Sequence, residues 1–373
     1  MARVAARIIL HIGVQKSGTT FLQQVLQANA DALAKAGVRY PVSPDWARGK
    51  RTVANHEWAT YGLLGAEFPW VSHDRASEEA TSWRTLLDDV KSRPGTVLLS
   101  AEALSVIRTP AIHRFFDALG ADDIEVVVTA RSLGWALPSL WQQHIRNGRS
   151  VSFGTYLTGL ANEREKGRDH IETDRSAHLW RAFDLGRLAR RWSDAGATRV
   201  SIVTTPGRPP RLLWQRFAEA IGLLALAEPP TMPTERAHTG LTAPETLVLS
   251  SMNAAIRQAS WSGQHADWIR QAVTARFQAR PRRGGKVATP PEWRERLTEW
   301  SEEDLAALQD TPAHIVGDLE DLRYDPSAET TTPPTPEEIA QAGAEAAMAL
   351  ATVALQETLI QRNIRRLRHR LTT

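Results

Sequence analysis

The chain is expected to adopt an α/β fold, a parallel β-sheet flanked by helices and completed by a helical C-terminal portion. Three observations predict it: short β-rich runs recur, each is followed by a segment of helical periodicity, and from Leu241 the pattern becomes mainly helical.

The first run spans Ile8 to Gly13, and its apolar core Ile8-Ile9-Leu10 is too short for a membrane span or a signal-peptide core, so it reads as a buried strand. A helical pattern follows over Thr19 to Ala36. Strands are then expected at Val97 to Ser100, Glu125 to Thr129 and Arg199 to Thr204. Their helices are expected at Pro110 to Leu119, Ser132 to Asn147 and Arg211 to Ile221. Such alternation belongs to a doubly wound sheet covered on both faces.

Between the first two strands, residues about 40–83 form an insertion of scattered Pro, Gly and aromatic residues without firm periodicity, longer than a crossover needs. Residues about 241–327 read as the helical part of the same domain, which is expected to span 1–327. The basic segment Arg280-Pro281-Arg282-Arg283-Gly284-Gly285-Lys286 and Pro290-Pro291 interrupt it. Residues 328–336, AETTTPPTP, have the composition of a stiffened linker. Residues 337–373 form an Ala-rich helix with an imperfect stripe of Met348, Leu350, Val353, Leu355, Leu359, Ile364 and Leu367, and a basic end at Arg362, Arg365, Arg366, Arg368 and Arg370. Docking on the domain, oligomerisation and contact with an acidic surface are all open to it.

The 373 residues are 42% apolar and 23% charged, ordinary values for a globular chain in water. A net charge of +3 is too small a basic excess for a nucleic-acid binder, and the absence of cysteine excludes disulfides, thiolate-bound zinc and a cysteine nucleophile. No transmembrane segment is expected, and the cytoplasm is the expected location.

After the first strand comes Gln15-Lys16-Ser17-Gly18-Thr19-Thr20. Gly18 lets the backbone curl before a helix starts, so the unpaired amides of the first turn, the helix dipole and the hydroxyls of Ser17, Thr19 and Thr20 make an anion site. Lys16 adds a full charge where a leaving phosphate would gather negative charge. The loop makes the sheet P-loop-like, yet Lys16 precedes Gly18 by two residues, whereas the nucleotide-triphosphate loop places lysine after its second glycine. A second cluster follows Val126-Val127-Val128-Thr129: Arg131 at the end of the strand and Ser139 eight residues on. Eight helical residues rise about 12 Å, a span that an arginine fork set before the helix can shorten.

The order Lys-Ser-Gly-Thr-Thr after a strand, continued by Phe21-Leu22-Gln23, resembles the phosphosulfate loop of sulfotransferases that use 3′-phosphoadenosine 5′-phosphosulfate. The Arg131 and Ser139 pair resembles that family's grip on the nucleotide 3′-phosphate. The resemblance covers Ile8 to about Gly222. It implies sulfuryl transfer, with no metal, to a small-molecule or glycan acceptor. Gln15, Lys16, Ser17, Gly18, Thr19 and Thr20 would hold the 5′-phosphosulfate, and Arg131 and Ser139 the 3′-phosphate.

Transfer to an alcohol needs a base opposite the leaving phosphate. Glu102, in Ser100-Ala101-Glu102-Ala103-Leu104, follows a strand as the family's base does, at the sheet edge where ligands bind. His56, in Asn55-His56-Glu57-Trp58, is the alternative, and Trp46, Trp58 and Trp70 are candidate stacking surfaces for an acceptor. Two other functions fit the fold: a kinase-like, ATP-dependent phosphotransferase, and a non-catalytic nucleotide-binding or scaffold protein.

Overall fold

The computed structural model describes residues 7–42, 56–207, 209–233, 240–261, 263–281, 284–329 and 333–371, with side chains as far as Leu355. Its strands are β1 (Arg7–His11), β2 (Val38–Arg39), β3 (Thr96–Ser100), β4 (Ile124–Ala130), β5 (Arg199–Thr204) and β6 (His314–Val316). They form one sheet in the order β2-β3-β1-β4-β5-β6, and each neighbouring pair is parallel. The four expected strands are therefore present, and β2 and β6 extend the sheet at its two edges. The helices are α1 (Thr19–Ala28), α2 (Ala30–Lys35), α3 (Glu57–Leu64), α4 (His73–Lys91), α5 (Thr109–Leu119), α6 (Leu133–Arg146), α7 (Phe153–Glu165) and α8 (Arg168–Thr173). Beyond them come α9 (His178–Phe183), α10 (Leu185–Asp194), α11 (Pro210–Ala220), α12 (Ala243–Gln258), α13 (Gly263–Gln278), α14 (Arg294–Gln309) and α15 (Pro336–Leu371).

The strands are buried on both faces, as parallel strands covered by helices must be. On one face Ile9, Leu98, Val127 and Val203 pack with Leu22 and Val25 of α1 and with Leu213, Trp214 and Phe217 of α11. On the other, Leu10, Leu99, Val126, Val128 and Ile202 are equally enclosed. Strand side chains repeat every two residues, so the next position along the first face is His11 on β1, Ser100 on β3 and Thr129 on β4. A polar row thus caps an apolar one at the carboxyl end of the sheet, beside the point where the order reverses at β1.

The expected helix over Thr19 to Ala36 is two helices, divided at Asn29. The Asn29 side chain donates to Val25 O (2.8 Å) and Thr231 O (2.7 Å) and accepts from Thr231 N (2.9 Å), so a distant loop claims groups that a continuous helix would leave unused. The insertion is also more regular than its sequence suggests, for α3 and α4 form a helical pair. Gly62 and Gly65 make the close approach: a Cβ on Gly62 would stand 2.3 Å from Glu79 O, and one on Gly65 would stand 2.4 Å from the Ala76 Cβ. Residues that read as breakers are contact points between helices.

The chain divides into two compact units. The first comprises Met1–Ala136, Thr158–Glu235 and Glu295–Tyr324, and holds the sheet. The second comprises Leu137–Leu157, Arg236–Arg294 and Asp325–Thr373. Within the second, α15 packs on α12 and α13 through Ala342, Ala346, Ala349 and Val353. Met348 and Leu355 of the expected stripe point outward instead, 54% and 66% exposed, because alanine lets helix backbones come closer than long side chains do. The basic residues beyond Leu355 lie outside the described side chains.

Candidate functional site

From β1 the chain runs on beside β4, with Ile12 N donating to Val127 O (3.0 Å) and Val14 N to Thr129 O (2.8 Å). It then turns, Ser17 N donating to Val14 O (3.2 Å), and enters α1 where Leu22 N bonds Gly18 O (3.2 Å). Lys16 and Gly18 have φ of 70° and 95°; glycine accepts this left-handed geometry readily and lysine does so at a cost in strain. The N-cap residue Gly18 has no side chain with which to cap α1, and the first-turn amides of a helix point to the space before it. Gly13 is required by the close approach of Thr129 and Thr19, since a Cβ there would lie 2.1 Å from Thr129 Oγ1 and 2.4 Å from Thr19 Cγ2.

A directed chain of hydrogen bonds lies under the loop. The Gln23 amide donates to Ser100 Oγ (3.0 Å), Ser100 Oγ meets His11 Nδ1 (2.9 Å), and His11 Nε2 meets Thr129 Oγ1 (3.2 Å). Thr129 Oγ1 meets Ser17 Oγ (2.7 Å), which donates to Val14 O (2.6 Å). A carbonyl can only accept, so the Ser17 hydrogen is spent there, Thr129 must donate to Ser17, and His11 must donate from Nε2. Burial lowers the His11 pKa to about 3, so the ring is neutral near pH 7 and its Nδ1 accepts from Ser100. This corrects the expectation for the Ser17 hydroxyl: it faces inward and is fully buried, so it is turned away from the space before α1. Thr205 holds the Ser17 carbonyl from the other side at 2.9 Å.

At the rim, Thr19 Oγ1 donates to Glu102 Oε2. Glu102 begins a 3₁₀ turn, Glu102–Val106, after β3. Burial, then the charge of Glu57, raise its pKa to about 7 against the opposing pull of Thr19 and Lys16. The turn is pinned from behind by two buried arginines unforeseen in the sequence: Arg181 Nε donates to Val106 O (2.7 Å), and Arg191 donates to Ser105 O (3.1 Å). Gln15 and Lys16 are half-buried and Thr20 is exposed. The Gln15 Oε1 is buried without a hydrogen-bond partner among the described residues.

Arg131 follows β4, half-buried, with its guanidinium 3.4 Å from Lys16 O and over the exposed Trp135 ring at 5.4 Å. Burial lowers its pKa, and among the described residues no carboxylate lies within ion-pair distance of it. Asp304 lines the same 20 Å³ cavity but is bonded to Arg164 (2.7 Å). A half-buried cation without an acidic partner is a place for an incoming anion. Ser139, half-buried, lies on the stretch of α6 that belongs to the second unit.

His56 is 1% exposed, and both of its ring nitrogens are engaged by backbone: Ser100 N donates to Nδ1 (2.9 Å) and Nε2 donates to Pro41 O (3.0 Å). That bonding fastens the start of α3 to β3 and leaves no ring lone pair for a substrate proton. Burial lowers its pKa to about 4. Of the tryptophans, Trp58 carries Arg75 at 4.3 Å, Trp70 is 48% exposed, and Trp46 lies outside the described residues. Arg282 and Arg283 also lie outside them, while Lys286 lines a cavity of about 480 Å³ in the second unit, walled by Trp141, Phe153, Val287 and Pro290.

Missed by sequence reasoning, Glu57 stands beside Glu102. Its carboxylate accepts from Tyr61 Oη (2.5 Å) and from the backbone amide of Ala103, and Tyr61 Oη accepts from Trp70 Nε1 (3.2 Å). The only sequence signal for it is its adjacency to His56. No protein-family model, curated protein or solved structure matches the chain.

Proposed function

We propose that the chain is a sulfotransferase that moves the sulfuryl group of 3′-phosphoadenosine 5′-phosphosulfate to a hydroxyl, or amine, of a carbohydrate, glycolipid or small metabolite. The observation that carries this reading is the meeting of two chemistries at one point: Thr19, heading a P-loop-like turn, is bonded to Glu102, a carboxylate that exchanges its proton near neutrality. In this reading Lys16 and the first amides of α1 bind the 5′-phosphosulfate, and Arg131 binds the 3′-phosphate. The acceptor O–H proton passes to Glu102 as the acceptor oxygen bonds to sulfur. The bridging S–O bond breaks, and its electron pair leaves with 3′-phosphoadenosine 5′-phosphate, whose growing charge meets Lys16. The exposed face of Trp70, linked through Tyr61 to the carboxylates, offers the acceptor a surface to stack on.

Thermal-shift titration tests the nucleotide. Stabilisation by 3′-phosphoadenosine 5′-phosphate, and none by ATP with magnesium, is expected. A larger ATP response would favour a phosphotransferase. Binding without release of 3′-phosphoadenosine 5′-phosphate from the sulfated donor, over a broad panel of hydroxyl compounds, would favour a non-catalytic nucleotide binder.

A further inference from the structure

We propose that Glu57 is a positioning residue of this site, holding the turn that presents Glu102 and setting a second negative charge against the Glu102 carboxyl. The inference rests on the reading of Glu102 as the base, and its geometry is independent of the donor.

Two carboxyl groups converge from different elements. Glu57 is on the first turn of α3, and Glu102 is on the turn after β3. The Glu57 carboxylate takes the amide hydrogen of Ala103, the residue next to Glu102, so it fixes the direction in which Glu102 leaves the backbone. Tyr61, one helical turn along α3, donates to the same carboxylate at 2.5 Å and is itself steadied by Trp70 at 3.2 Å. The groups facing Glu102 are Lys16 and Thr19 from the phosphate-type loop and α1, and Glu57 and Tyr61 from α3. Burial raises the pKa of Glu57 as well, against the hydrogen bonds from Tyr61 and Ala103, so the two interacting carboxyls resist double ionisation and titrate in coupled steps.

The consequence is functional. A lone surface glutamate is a weak base near neutrality, because its proton affinity is low. Facing Glu57, Glu102 takes up a proton from an acceptor hydroxyl more readily, and Glu57 stays anchored by Tyr61 and Ala103 without touching the reacting atoms. The tyrosine and tryptophan then serve two ends: they hold Glu57, and they line the approach of the acceptor.

The test follows the carboxyl carbons by NMR in the full chain labelled with 13C at the glutamate carboxyl, using Glu102→Gln to assign the Glu102 signal. Glu57→Gln keeps an oxygen for the Ala103 amide and removes the charge. The Glu102 midpoint is expected to fall by about one pH unit in this variant. Tyr61→Phe, which weakens the hold on the ionised form of Glu57, should move it the same way by less. An unmoved Glu102 midpoint in folded Glu57→Gln overturns the inference. Failure of 3′-phosphoadenosine 5′-phosphate to bind the wild-type chain overturns the sulfotransferase reading instead, and leaves the carboxyl pair to be judged on its titration alone.

Discussion

Thr19, the first residue of α1, gives its hydroxyl hydrogen to Glu102, 83 residues further along the chain. The bond joins the loop after β1 to the turn after β3, and the proposed chemistry depends on that junction.

Glu102→Gln should lower transfer by at least about 100-fold, the contribution of a well-placed base, while the dissociation constant for 3′-phosphoadenosine 5′-phosphate changes less than about twofold. Because the pKa of Glu102 is raised to about 7, wild-type turnover should climb with pH through that value. Folding stability should respond in the opposite sense. The native carboxyl holds its proton more tightly than the unfolded chain does, so its contribution is lost as pH rises from 4.5 to about 7. Chemical denaturation of wild type and variant across that range checks it.

Arg131→Ala should weaken binding of 3′-phosphoadenosine 5′-phosphate by about 10- to 100-fold, measured by calorimetry, since a charge-assisted fork is lost. Without nucleotide the same variant should melt at the wild-type temperature or above it, because a half-buried cation without an acidic partner opposes folding. A large drop in melting temperature would mark Arg131 as structural.

The buried histidines make the fold acid-sensitive. His11 and His56 have pKa values lowered to about 3 and about 4 from 6.5, so the unfolded chain binds protons that the native chain refuses, and stability falls as pH drops below 6.5. His11→Gln retains a donor and an acceptor without titrating. It should reduce the pH slope of unfolding free energy by up to about 1.4 kcal/mol per pH unit between about pH 4 and 6, measured in urea.

Gly13→Ala should disorder the loop and reduce nucleotide binding more than tenfold, for its Cβ would overlap Thr129 and Thr19. Gly159→Ala, in the open middle of α7, is the control, expected to be neutral or to stabilise by up to about 1 kcal/mol. Equal effects in thermal and binding measurements would rule out the packing explanation.

Much of the fold was legible because its signals are short-range. Apolar triplets, the loop that follows them and the helices behind them are written in adjacent residues, and β1, β3, β4 and β5 lie where the pattern puts them. The α3 and α4 pair was obscured because Gly62 and Gly65 look like breaks until another helix is laid against them. The same holds for α15, whose buried edge is alanine and not the bulkier residues that suggest a stripe.

By itself the sequence determined four of the six strands and the placing of Lys16, Glu102 and Arg131 just beyond the ends of β1, β3 and β4. Only the tertiary structure decided what each polar group faces. It turned the Ser17 hydroxyl inward, spent both nitrogens of His56 on backbone, set Glu57 beside Glu102 and left Arg131 without an acid among the described residues. The physical reason is that a buried polar side chain is satisfied by whatever donor or acceptor the strand register and helix packing bring to it, and partners such as Thr129 for Ser17 and Ser100 for His56 lie far along the chain.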